Sequence, residues 1–244
     1  MQILAIIFSV ACGFFLWMYL LTYFMYRGAS HDFFRRVRSG LIRGMIVAGI
    51  FIIFDTVDSL QMYVRTDWVI FPLIFFILSL PFSWRRIGFF SIFPVLLGVC
   101  IFLLEHYALP SSFLWSPFHE EVGKWYQSST ALYPGIISPF VSLGFGLIEN
   151  ARYFSGGIQF SEVLGRSLFS LPLHLFVSLF AFWCFLSFRS RIVWGAVGIV
   201  AAILIHTLYN WSLSTSLFIT LIIIMMGYAF YGWSIDDGWW KRKL

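Results

Sequence analysis

A short run of ionisable side chains at residues 119–124 interrupts otherwise apolar sequence. Glu120 and Glu121 are adjacent, and Lys124 follows at helical spacing, so its ammonium group can reach either carboxylate. These two carboxylates and Glu149 do not all ionise cheaply in a low-dielectric setting, so at least one is expected to keep its proton. Carboxyl groups that share a proton can activate a water molecule, as in acid-type proteolysis. This run therefore indicates hydrolytic chemistry.

Three later apolar stretches also carry polar residues at helical spacing. They hold Glu149 with Asn150, His174 with Ser178, and His206 with Asn210. His206 and Asn210 lie one helical turn apart and present donors suited to a developing oxyanion. Polar and ionisable residues are costly at bilayer depth, which favours a functional role. We therefore predict one intramembrane site, made of Glu120, Glu121, Glu149, His174, His206 and Asn210, with Lys124 and Asn150 in support.

A metal centre is the sharpest chemical alternative, because two histidines and up to three glutamates could ligate zinc. The spacing argues against it. Gly123 stands where a zincin-type motif that begins with His119 and Glu120 requires a second histidine. No two histidines of the sequence are three or four residues apart. We therefore predict a site without metal or other cofactor.

The composition is that of a membrane protein. Of 244 residues, 60% are hydrophobic and only 11% are charged, which is far more apolar than a soluble domain. Apolar runs of helix length predict an all-α, polytopic transmembrane helix bundle in the cell membrane, surrounded by lipid. We expect a single domain over residues 1–244, in which residues 116–211 carry the catalytic core helices and residues 1–115 supply accessory spans.

The basic residues predict the topology. The net charge of +5 comes from short clusters between apolar runs, which the positive-inside rule explains without a nucleic-acid partner. If residues 117–133 cross the membrane, most of these clusters fall on one side. This predicts about nine spans, with the N-terminus outside and the C-terminus inside. Ser116–Pro117 and Ser138–Pro139 each place an N-cap residue before proline, so we expect the fifth and sixth spans to begin there.

Four sequence pieces occur in a characteristic order. They are Glu120–Glu121–x–x–Lys124, Gly144–Phe145–Gly146–x–x–Glu149–Asn150, Arg166 to Ser170 with Pro172 and His174, and His206–x–x–Tyr209–Asn210. Together they resemble the PrsW family of membrane proteases, relatives of the CAAX prenyl endopeptidases and of the gamma-secretase scaffold subunit. The resemblance implies a glutamic-type intramembrane peptidase that cuts a single-span, membrane-anchored protein near its extracytoplasmic side. For the founding members that substrate is an anti-sigma factor.

One departure from the family pattern affects the chemistry. Asn210 stands where the family often has aspartate, which keeps an oxyanion donor but removes an acid. The resemblance covers roughly residues 116–211, so the spans before Ser116 lie outside it.

The leading hypothesis from the sequence is a metal-independent peptidase. Glu120, acting with Glu149, activates the water molecule, while His206 and Asn210 hold the oxyanion. The residues that orient this pair are Glu121 and His174.

Two alternatives remain open at this stage. A non-catalytic membrane scaffold would keep the same polar contacts between helices but would lack a path for water. A proton-coupled transporter would use Asp55, Asp58 and the buried glutamates as a proton relay.

Overall fold

The computed structural model describes residues 33–60, 69–78, 91–107, 112–155, 166–187 and 190–215, together with residue 11. Within these ranges the chain is helical and contains no strand, which confirms the all-α class for the described part. The helices are α1 (Phe33–Leu60), α2 (Val69–Leu78), α3 (Phe93–Tyr107), α4 (Ser112–Ser129), α5 (Pro134–Ser155), α6 (Leu171–Ser187) and α7 (Arg191–Thr215). A π-helical turn, Arg166–Ser170, leads directly into α6.

Helix length and hydropathy identify one clear membrane-spanning candidate among the described residues. The segment Ile192–Trp211 of α7 has a mean hydropathy of 2.0 over a sufficient length. Shorter apolar helical segments are Val69–Leu78, Phe93–Leu103 and Leu171–Ser187. Apart from residue 11, residues 1–32 and 216–244, where the first and ninth predicted spans fall, lie outside the described residues, so the count of nine and the topology stay predictions.

The helix α4 is the centre of the bundle. All its residues from Pro117 to Tyr126 are buried, because α1, α5 and α7 pack around it. The shorter α2 also contributes, with Phe71 edge-on to His119 at 4.7 Å between ring centroids and Phe75 stacked on Tyr126 at 6.5 Å. The ionisable run of α4 is therefore enclosed by protein.

The helices α4, α5, α6 and α7 surround the ionisable run. Both α4 and α6 pack against α5 and against α7. A turn of four residues, Thr130 to Tyr133, joins α4 to α5, and α6 is joined to α7 by a similarly short connection. Short connections make consecutive helices antiparallel neighbours. Polar groups on all four helices can thus meet at one level.

Glycines bring α1 unusually close to α5. A Cβ atom added at Gly44 would collide with the backbone carbonyl oxygen of Val141, and one added at Gly144 would collide with that of Leu41. At Gly40, an added Cβ would lie 2.6 Å from the Cβ of Phe140. Small residues at such positions let helix backbones approach closely in membranes. The contact fixes α5, which carries Glu149, against α1.

The predicted starts of the fifth and sixth spans were wrong by about one turn. The helix α4 begins at Ser112, so Pro117 lies inside it, and α5 begins at Pro134, so Pro139 lies inside it. For α5, the reason is Pro134 itself, which takes the first helical position. The carbonyl oxygen of Tyr133 accepts hydrogen bonds from the backbone N–H groups of Ile136 and Ile137, which starts the helix there.

Arg43 of α1 fixes the C-terminal end of α4. Its Nη1 donates a hydrogen bond of 2.6 Å to the backbone carbonyl of Gln127 and another to Oγ1 of Thr130, and its Nε donates to Oγ of Ser39. The last carbonyls of a helix have no partner within the helix and carry partial negative charge. A guanidinium group satisfies both needs at the turn between α4 and α5.

Candidate active site

A buried carboxylate on α4 joins a lysine and a histidine. Oε1 of Glu121 accepts a hydrogen bond of 2.6 Å from Nζ of Lys124 and one of 2.8 Å from Nδ1 of His206. The three residues are 4% exposed or less. A buried charge is tolerated only when it is paired and hydrogen-bonded, and each partner here fulfils that condition for the other.

A second carboxylate, on α5, joins an arginine and a histidine. Oε1 of Glu149 accepts a hydrogen bond of 2.8 Å from Nη2 of Arg166, and its Oε2 lies 3.0 Å from Nε2 of His174. The other ring nitrogen of His174, Nδ1, lies 3.0 Å from Nζ of Lys124. An ammonium group has only donors, so Nδ1 is the acceptor and Nε2–H donates to Glu149. Lys124 therefore links the two carboxylate–histidine pairs.

Glu120 lies between these pairs and has one oxygen without a partner. Oγ of Ser116 donates a hydrogen bond of 2.5 Å to Oε1 of Glu120. The Oε2 atom is buried and has no hydrogen-bond partner among the described residues. It lies 3.8 Å from Nδ1 of His174 and 3.8 Å from Nε2 of His206. These gaps are too long for direct hydrogen bonds, and a polar atom placed between Glu120 and His206 could bond to both.

The charges of the cluster are nearly balanced. Three carboxylates, Glu120, Glu121 and Glu149, face two permanent cations, Lys124 and Arg166. One more positive charge gives neutrality, and a proton on Glu120 or on a histidine supplies it. The sequence-based expectation that the carboxylates do not all ionise together stays a prediction.

The structure brings together five of the six predicted catalytic residues. Asn210 is the exception, because its side chain is exposed while His206, one turn earlier on α7, is buried. Of the supporting residues, Lys124 is at the centre. Asn150 is buried, and neither its Oδ1 nor its Nδ2 has a hydrogen-bond partner in the described ranges. The catalytic roles themselves stay predictions. The side chains of Asp55 and Asp58 lie outside the described residues.

Several residues of the site were missed or misread in the sequence. Arg166 was noted only as part of a motif, although it is the cation that pairs with Glu149. Ser116 was interpreted as an N-cap, whereas its hydroxyl group bonds Glu120 one turn later. Ser142 bonds Ser178 at 2.5 Å between α5 and α6. Helical spacing from Glu120 could have pointed to Ser116. Arg166 is 17 residues from its partner Glu149, so spacing gave no signal for that pair.

A small cavity adjoins the cluster between α4, α6 and α7. Glu121, Ser178 and Ala202 line it, together with Trp125 and Phe182 and two further apolar residues. It has room for about one water molecule. A carboxylate and a hydroxyl group in the lining can bond such a molecule, so water can be held next to Glu121 inside the bundle.

The donor atoms also bear on metal binding. Glu120, Glu121, His174 and His206 each offer one ligand atom, and these atoms lie within 4.8 Å of one another. By residue type, such a set suits a divalent transition metal. However, Lys124 already bonds Oε1 of Glu121 and Nδ1 of His174, which are two of the potential ligands. With its ammonium group in that position, the cluster does not fit a metal ion.

Comparison with known proteins gives one match. The family model described as PrsW family intramembrane metalloprotease matches residues 96–233, which is more than half of the chain. The matched region contains α4 to α7 and every residue of the cluster, whereas α1 and α2 precede it. No curated protein and no solved structure matches the chain.

Proposed function

The chain belongs to the PrsW family of intramembrane proteases, and on this premise we propose that it is a glutamic-type peptidase that hydrolyses a membrane-anchored protein by carboxylate-activated water. The observation that carries the proposal is the unpartnered Oε2 of Glu120, buried between two imidazole nitrogens at 3.8 Å. A water molecule there can donate one hydrogen bond to Oε2 of Glu120 and another to Nε2 of His206, whereas Nδ1 of His174 is already taken by Lys124. The nucleophile is then held next to its base.

Glu120 is the general base in this proposal. It takes a proton from the bound water as the water oxygen attacks the carbonyl carbon of the peptide bond. When the tetrahedral intermediate collapses, the carbon–nitrogen bond breaks and Glu120 returns the proton to the leaving amine. The hydrogen bond from Ser116 to Oε1 keeps the carboxyl group in place, so that Oε2 remains directed to the water.

Two histidines of the cluster have different tasks. Nδ1 of His206 donates to Glu121, and its Nε2 faces the water site. When protonated, His206 can donate from Nε2 to the developing oxyanion, and Glu121 then balances the imidazolium charge. Asn210, whose side chain is exposed outside the cluster, has no part in this mechanism. His174 accepts a hydrogen bond from Lys124 and donates one to Glu149, so it fixes the position of both groups beside Glu120.

We propose that the reaction proceeds without a metal ion, although the family description names a metalloprotease. By residue type, the donor set suits zinc. A bound zinc ion would lower the pKa of a water ligand and so generate a nucleophile. In this chain the ammonium group of Lys124 bonds Glu121 and His174 and provides the positive charge instead. The carboxylate mechanism uses only groups that the cluster already contains.

The substrate in this proposal is a single-span membrane protein, of which an anti-sigma factor is one example. The site is enclosed by helices on several sides, and α7 presents a segment apolar enough to span the membrane. A substrate anchored in the same membrane can reach such a site by lateral movement. Under the topology predicted from the basic residues, cleavage occurs near the extracytoplasmic side.

The test is cleavage of a single-span reporter by purified protein in detergent or lipid, with and without a chelator. Glu120→Gln keeps the size of the side chain and removes the base, so turnover should fall by at least about 1000-fold. Gln127→Ala, on the same helix two turns away and half-buried, is the matched control and should cleave like the wild type. Thermal unfolding of both variants checks that they fold.

The alternatives give different results in the same assay. A non-catalytic scaffold cleaves no reporter, and a transporter moves protons into vesicles without cleavage. Full turnover in folded Glu120→Gln would contradict the assignment of the base. Loss of wild-type turnover with chelator, restored by zinc, would contradict the metal-independent mechanism and leave the peptidase assignment standing.

A further inference from the structure

Both histidines of the cluster make the kind of hydrogen bond to a carboxylate that usually orients metal-binding histidines. A histidine that ligates a metal commonly donates its other ring N–H to a carboxylate, which fixes its orientation. Here His174 donates from Nε2 to Glu149, and His206 donates from Nδ1 to Glu121. The remaining nitrogens, Nδ1 of His174 and Nε2 of His206, both face Oε2 of Glu120. Two histidines and one carboxylate on one side of an open position are typical of divalent metal sites.

Lys124 prevents this set from acting as a metal site. Its Nζ lies 3.0 Å from Nδ1 of His174 and 2.6 Å from Oε1 of Glu121, and the side chain is only 1% exposed. A metal ion needs the lone pair on Nδ1 that the ammonium group already uses. A dication and an ammonium group that share one ligand atom would also repel each other strongly in a low-dielectric interior.

We propose that the ammonium group of Lys124 takes the place of a metal ion, and that its removal turns the cluster into a divalent metal site. In the absence of Lys124, Nδ1 of His174 loses its donor and Glu121 loses its paired charge. A divalent ion restores both contacts and also satisfies Oε2 of Glu120, which has no partner among the described residues. The ligand atoms already lie within 4.8 Å of one another, so modest shifts of these side chains bring them onto one ion.

The test measures bound zinc in the purified full-length chain. Wild type, Lys124→Arg, Lys124→Ala and Lys124→Met are equilibrated with zinc sulfate, passed over a desalting column and analysed for zinc per chain. We expect about one zinc ion per chain in Lys124→Ala and almost none in wild type or Lys124→Arg, which keeps a cation. Adding His174→Ala to Lys124→Ala should remove the zinc again.

Lys124→Met serves where Lys124→Ala does not fold, because methionine keeps most of the side-chain bulk in the core. Its expected result is also about one zinc ion per chain. Stoichiometric zinc in the wild type overturns the proposal regardless of the variants. A folded Lys124→Ala or Lys124→Met that binds no zinc overturns it too, as does zinc that persists without His174.

This inference rests on the metal-independent mechanism proposed above, but its experiment does not depend on cleavage. A wild type that cleaves the reporter and carries stoichiometric zinc overturns the role of Lys124 and keeps the peptidase assignment. If the wild type carries no zinc and cleaves no reporter while Lys124→Ala binds zinc, the role of Lys124 stands and the peptidase assignment is overturned. The two failures are therefore distinguishable.

Discussion

Arg166 and Glu149 form an ion pair of 2.8 Å between the π-helical turn and α5. The same carboxylate bonds His174 through its other oxygen, so the guanidinium group holds the imidazole through Glu149. Arg166 also lies over the ring of Tyr153, with Cζ 3.5 Å from the centroid. Its side chain is 23% exposed, whereas that of His174 is 1% exposed. We therefore expect Arg166, at the partly exposed rim of the cluster, to act as a positioning residue.

Arg166→Ala should lower kcat by about 10- to 100-fold, as the loss of a group that orients a metal-bound histidine does, and should leave KM nearly unchanged. The reason is that Glu149 and then His174 lose their fixed orientation. Because the position is partly exposed, guanidinium ion in the buffer should enter the space and restore part of the activity. Steady-state cleavage with guanidinium chloride, compared with equal sodium chloride, measures this rescue.

Two matched variants separate positioning from stacking. Arg166→Lys keeps the charge but loses the planar guanidinium group that bonds Glu149 and lies over Tyr153, so it should recover only part of the rate. Tyr153→Leu removes the stacking and leaves the ion pair, so it should have a small effect. Wild-type rates in Arg166→Ala, or a loss that guanidinium does not relieve, would show that Arg166 does not act through Glu149.

The glycine contact between α1 and α5 makes a prediction about stability. Gly44→Ala places a methyl group against the backbone carbonyl of Val141, which cannot rotate away, so the two helices must separate. Overpacking of this kind costs about 1 to 3 kcal/mol. The unfolding temperature in detergent should fall, and cleavage should fall with it because α5 carries Glu149.

Gly49 on the same helix provides the control, because a Cβ atom added there meets nothing within 4 Å. Gly49→Ala should leave the unfolding temperature unchanged or slightly higher, since alanine favours a helix. Equal stability of Gly44→Ala and Gly49→Ala would argue against the close α1–α5 contact.

The sequence was informative about the cluster for a simple physical reason. Ionisable residues are rare in apolar helices, so Glu120, Glu149, His174 and His206 are conspicuous there. Helical spacing also pairs Lys124 with Glu121, as the structure has it. What spacing does not contain is the packing between helices. That Glu149 pairs with Arg166 and His174 depends on how α5 and α6 lie against each other.

The errors in the sequence interpretation have the same origin. Asn210 is on the same helix as His206 and one turn away, but whether that turn is covered depends on neighbouring helices. The helix starts were misplaced because a serine before proline is compatible with an N-cap, yet an earlier proline or an earlier start can extend the helix. Gly40 and Gly44 were visible four residues apart, a small-residue pattern typical of close helix contacts in membranes.

The topology can be tested at two described positions, one in the α4–α5 turn and one in the connection between α6 and α7. Under the charge-derived prediction, the α4–α5 turn and the α6–α7 turn both face the cytoplasm. Leu132→Cys and Ser190→Cys place single thiols there, at exposed positions, after the native cysteines are replaced. A membrane-impermeant maleimide should label both only after the cells are permeabilised. If one turn is labelled from outside and the other only after permeabilisation, the two turns lie on opposite sides, which would contradict the helix arrangement. If both are labelled from outside, the topology is the inverse of the predicted one.

The position of the cluster along the helices predicts where a substrate is cut. Glu120 is eight residues from the start of α4, Glu149 is six residues from the end of α5, and His206 is nine residues from the end of α7. At about 1.5 Å per residue, these groups lie roughly 9 to 14 Å from helix ends on one side of the bundle. Since the hydrocarbon core is about 30 Å thick, the scissile bond must lie in the half of the substrate span nearest that side.

Local unwinding of the substrate must precede attack, because a helix hides its carbonyl groups in its own hydrogen bonds. Glycine and serine weaken a helix, so a Gly–Ser pair near the cut should raise the cleavage rate. A reporter in which this pair is moved one residue at a time, with mass spectrometry of the products, locates both the cut and the rate maximum. The rate should peak with the pair in the half of the span that the predicted topology makes extracytoplasmic. A rate maximum and a cut in the cytoplasmic half of the span would contradict that topology. A cleavage rate that does not change with the position of the Gly–Ser pair would show that unwinding does not limit cleavage.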